Sequence, residues 1–146
     1  MTPLTVAVRR LHPRAQLPRY AHGPGEDAGM DLCAVADVTL APGEAGAVAT
    51  GIAVELPPGY EGQIRPRSGL ALKHAVTVAN APGTIDPGYR GEVKVLLINL
   101  GRAPYRVSAG DRIAQLVVAP YAAVAWDERD LQDSARGAGG FGSSGT

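Results

Sequence analysis

Apolar and polar positions alternate along most of this chain, and a period of two is the signature of strands, because successive side chains then point to opposite faces of a sheet. Thr5 to Arg9, Ala45 to Leu56, Tyr60 to Arg65, Val76 to Val78, Glu92 to Leu100 and Arg112 to Tyr121 are alternating or rich in β-branched residues. They predict six extended segments. Gly29 to Ala34 alternates too, sending Met30, Leu32 and Ala34 to one face and Asp31 and Cys33 to the other. No long window carries the 3.6-residue apolar repeat of a helix. Only Gly69 to His74 and Trp126 to Ser134 suit a helical turn or two. Pro42-Gly43, Pro58-Gly59, Pro82-Gly83, Pro87-Gly88 and Ala109-Gly110-Asp111 punctuate the strands at the close spacing of a sandwich or barrel. The pattern predicts an all-β fold, jelly-roll-like or related to it.

At 146 residues the chain suits one core, since a second would have too little surface to bury. Glycine (19) and proline (12) are abundant and aromatics only 5%, as many turns and short elements require. Net charge is zero, so no long-range field draws in nucleic acid or an anionic membrane. An anionic ligand must then be held by a local cluster. Twelve of the fourteen cationic residues are arginines, whose guanidinium forks match phosphate oxygens, although a codon bias gives the same count. The lone Cys33 has no intrachain disulfide partner, and no stretch approaches the ~20 apolar residues of a membrane span. The sequence thus predicts a cytoplasmic protein.

Residues 135–146, ARGAGGFGSSGT, are rich in glycine and hold one large apolar side chain, Phe141. Such a segment buries too little to offset its own ordering. We expect a β domain over residues 1–134 and a flexible arm over 135–146. The arm contains a literal G-x-G-x-x-G at Gly137, Gly139 and Gly142, but a dinucleotide site needs a preceding strand, a following helix and a later acidic residue. No G-x-x-x-x-G-K-[ST] occurs.

Two segments hold candidate chemistry. Arg65-Pro66-Arg67-Ser68-Gly69-Leu70 puts a guanidinium, a hydroxyl and a glycine amide in succession between a strand and a possible helical turn. It reads as a phosphate cradle, or as a strand-end turn with Ser68 as N-cap. Asn80 to Lys94, NAPGTIDPGYRGEVK, reads as a hairpin turning at Pro87-Gly88. Thr84 to Asp86 then lies near Glu92 to Lys94, with backbone groups free at the open end to bind a flat base. Asp86 is a candidate general base, or simply a turn opener. Asp31 is a lone acid suited to a metal ion, an arginine or solvent. Gln115 is an amide in an apolar strand that needs partners if buried. His12, His22 and His74 have no metal-ligand spacing.

AGMDLCA around Asp31, RPRSGLALK around Ser68, NAPGTIDPGYRGEVKV, GDRIAQLVV and RGAGGFGSSG occur in the order of the five motifs of the trimeric dUTPase family, which the chain resembles from about Ala28 to its C-terminus. The resemblance implies a jelly-roll homotrimer with three shared active sites, each closed by a C-terminal arm. It implies hydrolysis of dUTP to dUMP and pyrophosphate, which lowers dUTP and supplies dUMP for thymidylate synthesis. By the same resemblance Asp86 takes a proton from, or orients, the attacking water. Arg67, Ser68, the Gly69 amide, Gln115 and Arg136 hold the triphosphate. Asn80, the backbone of Thr84, Ile85 and Asp86, and that of Lys94 read uracil, while Tyr89 packs under the deoxyribose and Phe141 stacks on the base. Mg2+ is held mainly by phosphate oxygens and water, with Asp31 acting through water.

The nearest rival is a dCTP deaminase, which shares this resemblance but carries a glutamate ten positions after the equivalent of Asp86, where this chain has Leu96. Deamination then lacks its proton carrier. A non-catalytic jelly-roll module is a third reading, and it leaves Arg67, Ser68, Asp86, Gln115 and Arg136 without a purpose.

Overall fold

Twenty buried apolar side chains form one continuous cluster, drawn from all four antiparallel sheets and the loops between their strands. The computed structural model describes residues 1–146. Its strands are β1 (Ala7–Arg10), β2 (Met30–Cys33), β3 (Val38–Leu40), β4 (Ala45–Ala49), β5 (Ile52–Glu55), β6 (Tyr60–Arg65), β7 (Val76–Val78), β8 (Gly83–Ile85), β9 (Lys94–Asn99), β10 (Tyr105–Val107) and β11 (Arg112–Pro120). The single helix, α1 (Ser68–His74), joins β6 to β7. One sheet has the order β2-β11-β6-β8 and the other β4-β9-β7, with β1-β5 and β3-β10 as two-stranded ribbons. The protein is therefore predominantly β, as the period-two pattern predicts.

Alternation places the core. Along β9, Val95, Leu97 and Asn99 are buried while Lys94 and Leu96 are exposed. On β11 a register shift against β2 between Arg112 and Ala114 puts Ile113 and Ala114 both inside, as a bulge does. Asn99 is fully buried yet satisfied: its Nδ2 donates to Leu40 O at 3.0 Å and Ala103 O at 2.8 Å, and its Oδ1 accepts from the Gly101 amide at 2.9 Å. It pins the end of β9 to the β3-β10 ribbon.

Three expectations need correction. Ala45 to Leu56 is not one strand but two, broken at Thr50-Gly51. Gly51 is buried with φ +71°, and a Cβ there would lie 2.9 Å from Val35 Cγ1 and 3.0 Å from Ala15 Cβ. A left-handed residue cannot continue a ladder, and only glycine fits this one. Next, the arms of the Pro87-Gly88 turn do not form a ladder with each other. β8 pairs with β6, whereas β9 pairs with β4 and β7, so the turn bridges the two sheets. Finally, Trp126 to Ser134 is not helical. Trp126 and Leu131 are 93% and 92% exposed, and a short amphipathic segment with no surface to cover gains too little to hold a helix.

The Tyr121 amide donates to Gly59 O at 3.0 Å. Beyond it the chain is exposed and its hydrogen bonds are local, such as Arg136 Nε to Gly139 O at 2.7 Å. No helix is long and apolar enough to cross a membrane.

Candidate active site

The divergence of β8 and β9 into different sheets opens a cleft of about 210 Å³ whose lining includes Asn80, Thr84, Ile85, Asp86, Tyr89, Glu92, Lys94 and Leu96. Its walls carry unused backbone groups. β8 is the edge strand of its sheet, paired only with β6. β9 is paired on its β7 side only over Leu97–Asn99, with the Ala79 amide on Leu96 O at 2.7 Å, which leaves that side of Lys94 unpaired. Unpaired strand edges offer amides and carbonyls in a fixed row. Gly83 is buried, and a Cβ there would come within 3.3 Å of Asn80 Nδ2, so glycine lets the Asn80 side chain fold over the cleft's end.

Asp86 and Tyr89 flank the turn, which is closed by the Tyr89 amide on Asp86 O at 3.0 Å. Arg90 steadies it through Nη1, which donates to Pro87 O at 2.6 Å and Tyr89 O at 3.2 Å, and Nη2, 3.4 Å from Glu55 Oε1. The Asp86 side chain is exposed in the cleft. A larger, open groove of about 620 Å³ borders the same turn between Ala7, Glu55 and Arg90, but its one acid-base pair is already matched.

A second group gathers on the sheet β2-β11-β6-β8. Asp31 Oδ1 lies 3.5 Å from Arg67 Nε and Oδ2 3.7 Å from Arg112 Nη1. Arg67 Nη1 donates to Arg112 O at 3.4 Å, while its buried Nε has no hydrogen-bond partner. Two guanidiniums around one carboxylate leave local positive charge. Burial pushes the neighbouring Cys33 thiol up, the Asp31 charge adds to this, and the arginines oppose it. A thiol held protonated is a poor nucleophile.

Gln115 pairs with Asp31 on one side and Arg65 on the other. Ser68 and Gly69 open α1, but Ser68 is not its N-cap. Arg67 holds that position in extended conformation with no side-chain cap, so the first-turn amides are uncapped. Nothing lies within 4 Å of a Cβ built on Gly69, so the chain's own packing does not demand glycine there.

None of Asp31, Arg67, Arg112 and Gln115 lines the cleft. Asp31 on β2 and the cleft at β8 lie at opposite edges of a four-stranded sheet, about 14 Å apart at three strand spacings, while Gln115 on β11 is two spacings from β8 and Arg67 follows β6, the strand next to β8. Arg136 and Phe141 stand apart from that group and from the cleft, with Phe141 fully exposed.

Sequence reasoning did not single out Gly29, Arg112 or Glu92. A Cβ on Gly29 would fall 2.4 Å from Gln115 Oε1, and Glu92 Oε2 accepts from the Gly51 amide at 3.0 Å. Their contacts come from distant segments, so no local signal marks them beyond their places inside the motifs.

An edge-strand cleft able to bind a flat polar group, with guanidiniums and the uncapped amides of α1 elsewhere in the fold, defines a binder of small, partly planar anions. The comparisons narrow this class. The dUTPase family model matches residues 15–145, and the chain belongs to the dUTPase family. A deoxyuridine 5'-triphosphate nucleotidohydrolase of Solibacter usitatus is 66% identical over 145 residues, 99% of each chain. Among solved structures, a variant of the Staphylococcus bacteriophage 80alpha dUTPase with dUpNHpp superposes with a TM-score of 0.90 at 29% identity, covering 97% of this chain and 99% of that one. A variant of the dUTPase from phage phi11 of S. aureus, described with a structural Mg(II) ion, gives 0.81 at 27% identity over 90% and 100%.

Proposed function

We propose that this chain hydrolyses dUTP to dUMP and pyrophosphate as a cytoplasmic jelly-roll homotrimer. Residues 1–134 form the body, and the 135–146 arm closes a site shared between copies. The observation that carries the reading is the cleft, where Asp86 stands beside two free strand edges and the Tyr89 ring in a chain of the dUTPase family.

Uracil is flat, with donors and acceptors along one edge. The backbone of Thr84, Ile85 and Asp86 and that of Lys94 complement that edge, with Asn80 at the end of the cleft. Tyr89 lies under the deoxyribose, where a 2′-hydroxyl finds no room. Asp86 accepts a proton from, or orients, the water whose oxygen bonds to the α-phosphorus as the bond to the bridging oxygen breaks and pyrophosphate leaves. Leu96 lines the same cleft and carries no proton for chemistry at the base.

Arg67, Ser68, the Gly69 amide, Gln115 and Arg136 hold the triphosphate, and Phe141 covers the base. Gly69 fits this role because its open Cβ position lets a phosphate approach the backbone. The sharing of sites is supported by the absence of Asp31, Arg67 and Gln115 from the lining of the cleft, since residues from separate chains can converge where those of one chain do not. The net charge is zero, so no long-range field draws nucleic acid or an anionic membrane to the chain.

The donor set fits Mg2+ only as a nucleotide-borne ion. No group of three or more His, Cys, Asp or Glu comes together, and the one acid near the phosphate-binding arginines, Asp31, is already ion-paired, so it suits a contact through water. When bound, the ion neutralises charge on the triphosphate and so reduces repulsion of the attacking water. Incubation with dUTP, dCTP, dTTP and UTP, with chromatography of the products, tests the reading. dUMP and pyrophosphate from dUTP are expected, whereas ammonia from dCTP, or no product, overturns it.

A further inference from the structure

The Tyr89 side chain is 45% exposed and sits on a turn, which is a poor place for a filter that must reject one added oxygen atom. A ring that shifts by a few tenths of an ångström stops excluding a 2′-hydroxyl, so something must hold it. Its hydroxyl donates to Glu92 O at 2.8 Å. The ring also lies against Gly91, where a Cβ would fall 2.5 Å from the Tyr89 hydroxyl oxygen. The ring is thus clasped by the backbone of Gly91-Glu92, and its precision is that of this short segment.

The one side-chain anchor of that segment is the half-buried Glu92, and the peptide that carries its carbonyl is also bonded to the body through the Val93 amide. Glu92 Oε2 accepts from the Gly51 amide at 3.0 Å, and its carboxylate makes no ion pair. Gly51 is itself immobilised, in its left-handed turn, by contacts that leave no space for a Cβ. The next residue is gripped as well. Val93 O accepts from Thr50 Oγ1 at 2.5 Å and from the Thr50 amide at 3.3 Å, while the Val93 amide donates to Ile52 O at 2.8 Å. The break between β4 and β5 therefore serves as a socket for the start of the return arm.

We propose that Glu92 is a positioning residue for sugar discrimination: its carboxylate fastens the return arm to the Gly51 amide, and its carbonyl holds the Tyr89 ring at the height that admits deoxyribose and rejects ribose. This rests on the reading of Tyr89 as the sugar platform. Glu92 touches neither base nor phosphate in this scheme, so its loss acts on binding and selectivity ahead of the chemical step.

The test is steady-state kinetics of the full chain on dUTP and UTP for wild type, Glu92→Ala, Glu92→Gln, Tyr89→Phe and Tyr89→Ala, with melting temperatures alongside. Glu92→Ala is expected to raise KM for dUTP and lower the dUTP/UTP ratio of kcat/KM about fivefold or more, the scale of one net hydrogen bond, with kcat on dUTP changed less than KM. Glu92→Gln keeps an acceptor oxygen for the Gly51 amide and should retain most of the ratio. Tyr89→Phe, which cuts only the ring's end of the brace, should lower it.

An unchanged ratio in Glu92→Ala, or equal loss in the Gln variant, overturns the brace, since a purely structural role moves melting and not selectivity. If Glu92→Ala does not fold, Tyr89→Phe decides, and an unchanged ratio there is equally fatal. Relaxation in Tyr89→Ala with none in Tyr89→Phe or Glu92→Ala removes the brace alone. No relaxation in any variant removes the Tyr89 filter and the brace together.

Discussion

Gln115 lies directly opposite Asp31 across β11 and β2, and its side chain fills the space that a Cβ on Gly29 would need, 2.4 Å from that position. The closest contact is with the far end of a flexible side chain, and the Gln115 Cβ at 3.2 Å need give only a little, so Gly29→Ala displaces the Gln115 amide at a modest cost to the fold, about 1 kcal/mol. If Gln115 serves the triphosphate, kcat/KM for dUTP should nevertheless fall about tenfold. Kinetics and thermal melting of the variant together check this. Unchanged kinetics would release Gln115 from any phosphate role.

Asp86→Asn preserves the shape of the side chain and one acceptor oxygen while removing the basic carboxylate. It should keep dUTP binding and lose turnover by about 10²-fold or more. Single-turnover rates read the chemical step directly, and near-normal hydrolysis would mean that another group activates water.

Gly51→Ala should be the opposite of Gly29→Ala. It forces a left-handed φ of +71° on alanine and drives its Cβ to within about 3 Å of the buried Val35 and Ala15 side chains. Backbone strain of ~1–2 kcal/mol adds to overpacking of ~1–3 kcal/mol. A fall of several degrees in Tm is expected, and an unchanged Tm would show that the break between β4 and β5 relaxes freely.

Light scattering should give about three times 15.0 kDa at working concentrations. An active monomer would contradict both the trimer and the sharing of sites, because none of the phosphate-binding candidates Arg67, Gln115 and Arg136 lines the cleft within one chain.

Deletion of residues 135–146 should leave melting nearly unchanged and severely reduce dUTP hydrolysis. The segment is exposed, its bonds are local and Phe141 touches nothing, so it lends the body little stability. Ordering over bound nucleotide would exclude water and bring Arg136 to the phosphates. Phe141→Ala and Arg136→Ala should each reproduce part of the loss. Unchanged kcat/KM in all three variants would make the arm a spectator.

Some of this was legible residue by residue. β6 and β7 coincide with the alternating segments, and β11 ends one residue before the segment does, because a strand with one buried face must alternate. The turn at Asp86 to Tyr89 was legible too, since Asp-Pro-Gly is local chemistry. β3, β8 and β10, of three residues each, were not marked by local pattern, and β8 is recognisable only by its pairing with β6. The helical pattern at Trp126 was admissible locally and failed because this chain offers that face nothing to cover.

The meeting of Asp31 with Arg67 and Arg112, the splaying of β8 from β9 and the grip of Glu92 on Gly51 belong to the tertiary structure alone. Glu92 and Gly51 are 41 residues apart, and Arg67 and Arg112 are 45 apart. Local pattern chooses which face of a strand turns inward. Which strands become neighbours, and which side chains then touch, is decided by burial of the shared core.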